Sequence, residues 1–260
     1  MNPTLSFLGI NMYYWGYILA FAADFLFSLL WYRKKYGFSM MKAFLATALV
    51  IPFGYGLIIL TGLIHGWGVN WVRAVLFIPA AVWLICLILK TNFAKTLDFL
   101  TPVACINHGV SHYFCVFKGC CYGYPTESAF HVWNEEQGAN LFPIQIIEAT
   151  SILIVCVFIV LYAKKKNYDT HGRAYPIHMV LFGLTRFVYE YFRDNTDVRW
   201  QLSQFQIYCI AEFAVGVLFL VLIGYAVKNV RFREKHPLLV DESIDEWTRL
   251  KRAFAKMKKT

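Results

Sequence analysis

Ile207–Val227, IYCIAEFAVGVLFLVLIGYAV, holds a single charged side chain, Glu212, and is followed by Lys228, Arg231, Arg233 and Lys235. As a helix rising about 1.5 Å per residue it is roughly 31 Å long, the thickness of a bilayer's hydrocarbon core. That run predicts a membrane span. The basic residues beyond it mark the cytoplasmic side, where Lys and Arg accumulate.

Working outward, six further stretches read the same way: Met12–Trp31, Ala43–Ile64, Trp71–Leu89, Phe99–Phe117, Ile144–Tyr162 and Pro176–Phe192. The 260-residue chain is 58% hydrophobic, 18% aromatic and 16% charged. A soluble domain carries about 25% charged residues, so this surface is too poor in charge for water, and intrinsic disorder is excluded for the same reason. Twenty of the 25 Lys and Arg fall between spans one and two, three and four, five and six, or after span seven. The expected fold is therefore an all-α integral membrane protein of seven transmembrane helices, N-terminus outside and C-terminus cytoplasmic. Met1–Gly9 lacks a basic segment, so no cleavable signal peptide is expected. Residues 1–227 form the membrane domain and 228–260 a basic cytoplasmic tail. In that tail Ser243 and Glu246 have capping-box spacing. Trp247, Leu250, Phe254 and Met257 then recur at helical steps among basic residues, which reads either as a short amphipathic helix on an anionic leaflet or as a solvated tail. Nucleic acid is not an expected partner.

Two spans are impure, and these carry the candidate chemistry. Span four holds Asn107, His108 and His112, with Cys115 one turn on; His108, His112 and Cys115 share a helix face at i, i+4 and i+7. The face admits three readings: a transition-metal site, which would also draw on Cys120; a general base; or histidines satisfied between helices with small packing cysteines. No CxxC accompanies the histidines, and Cys120 and Cys121 are adjacent, so spacing argues little for a metal and no disulfide is proposed. Span six holds Arg186, Glu190 and Arg193, again at i, i+4 and i+7. Arginine within a membrane helix costs about 2.5–3.5 kcal/mol on insertion scales, so it is there for a reason. Either it staples helices by pairing with Glu190, or its fork binds an anion, here the phosphate of a lipid headgroup. Glu148 divides evenly between function and structure; Asp24 and Glu212 read as structural neutralisers.

Asp98-(x3)-Pro102, His108, Cys115, Gly119-Cys120-Cys121-Tyr122-Gly123-Tyr124-Pro125-Thr126, Pro143-(x4)-Glu148-Ala149 and Arg186-Phe187-(x2)-Glu190-(x2)-Arg193 together resemble the prolipoprotein diacylglyceryl transferase family, specifically its shorter branch with a GCCYG core. Tyr14 and Gly16 fit its N-terminal pattern, and the resemblance spans most of residues 10–227. It implies a multi-pass enzyme of the bacterial cytoplasmic membrane that moves the diacylglyceryl group of phosphatidylglycerol, or a related phospholipid, onto the lipobox cysteine of a prolipoprotein, releasing glycerol phosphate. A divergent paralogue would use another thiol or amine acceptor. No metal and no organic cofactor is implied. His108, His112, Arg186 and Glu190 would be catalytic; Tyr14, Cys120, Cys121, Tyr122, Glu148 and Arg193 would bind substrate. Two departures stand out. The family's G-R-x-G-[NC]-F pattern has Ser111, His112 and Phe114 where Gly, Arg and Gly are usual, and the nearest counterpart of its His-Gly-Gly motif is His65-Gly66-Trp67-Gly68. The alternative function is a non-catalytic lipid- or peptide-binding membrane protein on the same scaffold.

Overall fold

The computed structural model describes residues 5–65, 71–193, 198–199, 202–229 and 244–257. It is mostly helical, with a helix at each of the seven apolar stretches. Helix α1 (Met12–Phe25) continues through a π-helical stretch, Leu26–Tyr32, to Lys35. There follow α2 (Met40–His65), α3 (Trp71–Leu89), α4 (Phe93–Tyr113), the short α5 (Cys115–Lys118), α6 (Ile144–Lys165), α7 (Ala174–Tyr189) and α8 (Gln204–Lys228). The tail helix α9 spans Glu246–Met257. Among the described residues three helices are long and apolar enough to cross a membrane: Met12–Lys35, Ile144–Lys165 and Gln204–Lys228; Met40–Gly54 and Ala74–Leu89 are shorter apolar segments.

Local sequence sets the helix starts. Asn11 and Asn92 each accept a hydrogen bond from a first-turn amide, and Ser203 with Gln206 forms a capping box at α8. The impure fourth span is not one helix. It stops at Tyr113, turns at Phe114 and restarts as α5, which ends on Gly119 in the left-handed conformation. The sixth likewise ends at Tyr189 and tightens into a 3₁₀ turn, Glu190–Phe192. Ser243, the expected tail cap, lies outside the described residues. Asp245, just before α9, accepts from the Thr248 amide at 3.0 Å and from its hydroxyl at 2.8 Å.

Helix α7 packs on α8, α4 on both α1 and α6, and α2 on α3. Tyr32, Phe99, Tyr175 and Phe182 are the largest side chains sealed in the interior. The outward faces are apolar: Ile154, Val157, Phe158 and Leu161 on α6 and Leu218, Val221 and Leu222 on α8 are all exposed. Contiguous bare apolar surface of this kind suits lipid and not water.

Two polar ties close one end of the bundle. The Asp98 carboxylate, 2% exposed, accepts hydrogen bonds from the Thr170 hydroxyl and from the Gly172 and Ala174 amides, at 2.7 and 2.8 Å for the amides. It thus pins the loop between α6 and α7 to the start of α4. Beside it Glu246 of α9 accepts from the Phe93 amide at 3.1 Å, and its own amide donates to the Thr91 carbonyl. Three small antiparallel ribbons lie elsewhere: β1–β2 (Ser6–Phe7, Ile10–Asn11), β3–β4 (Val132–Asn134, Ala139–Leu141) and β5–β6 (Val198–Arg199, Leu202–Ser203).

Candidate active site

The other end of the bundle gathers the charged side chains that the impure spans contribute. Glu148, 3% exposed in the second turn of α6, sits at the centre. Its Oε1 is 3.3 Å from Arg186 Nε, its Oε2 is bonded by Arg193 Nη2, and the same Oε2 lies 3.4 Å from His112 Nε2. Arg186 also reaches Glu190 Oε2 through Nη1 at 2.5 Å, and Glu190 accepts from Ser203 Oγ at 3.0 Å. Two arginines are thus gathered around one carboxylate and steadied by a second. Within membrane-like surroundings such charges persist only when paired.

The histidines continue the cluster inward. The His108 ring meets that of His112 edge-on at 5.2 Å and contacts Phe182 at 5.6 Å. On its other side His112 places Nδ1 3.5 Å from Cys115 Sγ. His112 Nδ1 or Nε2, Cys115 Sγ and Cys121 Sγ all lie within 4.8 Å of one another, as do the ligand atoms of His108, His112 and Glu148.

Cys121 arrives by an unusual backbone route. Its φ is +61°, a left-handed value that costs a non-glycine residue strain and is common at functional sites. Two residues on, Gly123 forms a β-bridge with Arg193, and a Cβ there would come within 2.4 Å of the Phe192 carbonyl. Only glycine permits that approach, which brings the cysteine pair beside the guanidinium. The Cys121 thiol is held well below the ordinary thiol range. The Cys115 and Cys120 thiols contribute most and outweigh the opposing effect of burial; His112 and Arg193 add to the lowering. Cys120 is pushed up to about 12: its contact with Cys115 lowers it, but contact with Cys121 and burial prevail. Burial works against the charge on Arg193, while Glu148 and Cys121 more than restore it and leave its pKa above the usual guanidinium value.

Of the residues expected from sequence, His108, His112, Glu148, Arg186, Glu190, Arg193 and Cys121 converge. Cys120 is adjacent, its thiol directed at the Cys115 carbonyl at 3.8 Å, and Tyr122 is half-buried in the same loop. Tyr14 is 57% exposed; its neighbours Tyr13 and Tyr17 share a 2.7 Å hydroxyl contact, and Lys118 stacks on the Tyr13 ring. Those two tyrosines and Ser203 were not singled out from sequence. Tyr17 alone is legible there, one helical turn beyond Tyr13; Ser203 is visible only as a helix cap. Asp24 is bonded to Asn107 Nδ2 at 2.7 Å, joining α1 to α4, in keeping with its structural reading. His65 has no described side chain, and Gly66-Trp67-Gly68 lies outside the described residues.

Where the family pattern has glycine, Phe114 packs into the space left by Gly16, where a Cβ would lie 2.4 Å from Phe114 Cβ. The substitution is absorbed by the opposing helix.

Residues 63–222 match the family profile described as prolipoprotein diacylglyceryl transferase. A phosphatidylglycerol–prolipoprotein diacylglyceryl transferase of Dehalococcoides mccartyi is 22% identical over 245 residues, 85% of this chain and 93% of the relative. One from Chlorobaculum tepidum is 26% identical over 197 residues, 73% of this chain and 67% of the relative. The phosphatidylglycerol–prolipoprotein diacylglyceryl transferase 2 of Clostridium perfringens is 24% identical over 111 residues, 41% of this chain and 43% of the relative.

Proposed function

The chain belongs to the prolipoprotein diacylglyceryl transferase family, and on that premise we propose that its buried charge cluster is where a phospholipid phosphate is held while the diacylglyceryl group leaves it. The chain is a membrane transferase of lipoprotein biosynthesis. Its donor is phosphatidylglycerol and its acceptor the cysteine thiol of a prolipoprotein. In this reading the chain has seven spans with its N-terminus outside, and the cluster belongs to the outer half of the membrane, where lipid and peptide enter sideways from the bilayer. Residues 1–227 carry this machinery, and the basic tail, with α9, is assigned to the cytoplasmic side.

The observation that carries the reading is the pair Arg186 and Arg193 converging on Glu148. A carboxylate that spans two guanidinium forks occupies the place a phosphate's oxygens would take, and forks of this kind bind phosphate bidentately. The reaction breaks the bond between the diacylglyceryl carbon and the phosphate oxygen and forms a carbon–sulfur bond, with glycerol phosphate leaving as an anion. Charge grows on the leaving oxygen, so arginines fixed beforehand stabilise the transition state more than the ground state. Glu190 holds Arg186 in place from one turn away. His112, or His108 behind it, takes the proton of the incoming thiol. Cys120, Cys121, Tyr122 and Tyr14 line the approach of the substrates.

Incubation of purified protein with phosphatidylglycerol and a lipobox peptide tests this directly. Release of glycerol phosphate together with a mass shift on the peptide cysteine is expected. Retained phospholipid with no release under any condition would instead mean a binding protein on the same scaffold, the reading that His112 in place of the family arginine favours.

A further inference from the structure

Substituting a histidine for an arginine beside two thiols changes what the position can bind. A guanidinium has no lone pair for a metal; a neutral imidazole has one. The second nitrogen of His112 faces Glu148 at 3.4 Å, the arrangement by which a carboxylate fixes a ligating histidine's ring and tautomer. That leaves Nδ1 turned to Cys115 Sγ at 3.5 Å. A tetrahedral zinc with bonds of about 2.1 Å to nitrogen and 2.3 Å to sulfur sets those two atoms about 3.6 Å apart. Cys121 Sγ completes a triad within 4.8 Å, carried by a left-handed backbone that turns the residue back toward the histidine.

We propose that His112 Nδ1, Cys115 Sγ and Cys121 Sγ form a binding site for a zinc-type divalent cation, with a fourth position open to the incoming acceptor thiol. The open position rests on the transferase reading; the metal site does not. Two thiolates and a neutral imidazole neutralise a divalent ion, and the Arg193 guanidinium beside Cys121 stabilises the thiolate partner. The alternative triad of His108, His112 and Glu148 is a poorer site, because its carboxylate oxygens are already engaged by two arginines. Cys120 is directed at a backbone carbonyl, so it does not close the fourth position. With His112 held as a ligand, the base is His108 or solvent: a thiol entering that position loses its proton there and attacks as a metal-bound thiolate. The sulfur–carbon bond forms as the carbon–oxygen bond to phosphate breaks, and the metal is neither oxidised nor reduced.

The test is a cobalt(II) titration of the full chain, purified in detergent under reducing conditions, followed by zinc displacement and elemental analysis. One cobalt per chain is expected, with thiolate charge-transfer and tetrahedral ligand-field bands. These bands should weaken at least tenfold in apparent affinity in Cys115→Ser, Cys121→Ser and His112→Arg and survive in Cys120→Ser. Adding a lipobox peptide should shift them, and its Cys→Ser counterpart should not. If Cys120→Ser abolishes binding, the site is a closed four-ligand one and the open position is overturned. If unmodified protein binds no stoichiometric cobalt or zinc, or if its thiols occur as a Cys115–Cys121 disulfide under reduction, the site itself is overturned without recourse to variants. Lipid turnover is scored separately. Turnover in metal-free protein overturns the open position's part in the reaction and leaves the transferase reading intact, whereas stoichiometric metal without turnover keeps the site and sinks that reading.

Discussion

Asp98 and Glu148 are both buried carboxylates at the ends of helices, yet they are held in opposite ways. Asp98 takes a hydroxyl and two backbone amides, groups fixed by the fold and of no net charge. Glu148 takes the tips of two arginines and faces a histidine, all on long or rotatable side chains from other segments. Backbone donors have nowhere else to go. Guanidinium groups can exchange one anion for another of similar shape. The same residue chemistry thus builds a fastening at one end of the bundle and a replaceable anion site at the other.

The sharpest way to break this contrast is to remove one arginine and, separately, Asp98. Arg193→Ala should lower glycerol phosphate release by roughly 10²–10³-fold, the usual effect of losing a charge-stabilising donor. Arg193→Lys should recover little of it, since the fork is lost while the charge stays. Asp98→Ala should do the reverse. Leaving its donors unsatisfied should cost about 2–3 kcal/mol, read as a lower melting temperature in detergent, with turnover per folded molecule unchanged. Turnover falling with Asp98 as steeply as with Arg193 would end the distinction.

A smaller effect tests the cysteine pair. Because the pKa of Cys121 is depressed, its thiolate persists as pH falls through the ordinary thiol range, while Cys120, raised to about 12, stays protonated throughout. In metal-free protein at about pH 7, iodoacetamide should therefore label Cys121 roughly tenfold faster than Cys120, as peptide mapping would read. Equal rates would contradict the arrangement. The smallest expected effect is at the tail: Glu246→Ala removes the acceptor for the Phe93 amide and should loosen α9 by about 1 kcal/mol, read as faster amide exchange there.

How much of this was legible beforehand follows from distance along the chain. Span positions depend on runs of about 20 apolar residues, and each stretch found its helix with ends shifted by a few residues. Pairings one turn apart, such as Arg186 with Glu190, follow from helical spacing, here even where the helix tightens into a 3₁₀ turn. The expectation that His108, His112 and Cys115 share one face holds at the His112–Cys115 contact, even though the helix breaks at Phe114 between them. What spacing cannot show is that Glu148 is the hub, because its partners come from α4, α7 and the turn that follows. Nor can it show Cys121, whose place depends on a left-handed residue and on the Gly123–Arg193 bridge. The tie from Glu246 to α4 is a tertiary fact of the same kind.

The order in which the helices are made gives the Arg186–Glu190 pair a second meaning. Helix α7 is made with the counter-ion of its own arginine one turn away, so that pair needs no other helix. Helix α6 precedes it with Glu148 in its second turn, near a helix end. That acid waits for cations that have not yet been synthesised. Both arginines that meet Glu148 lie later in the chain, so a chain truncated before Arg186 would leave that carboxylate without either of them.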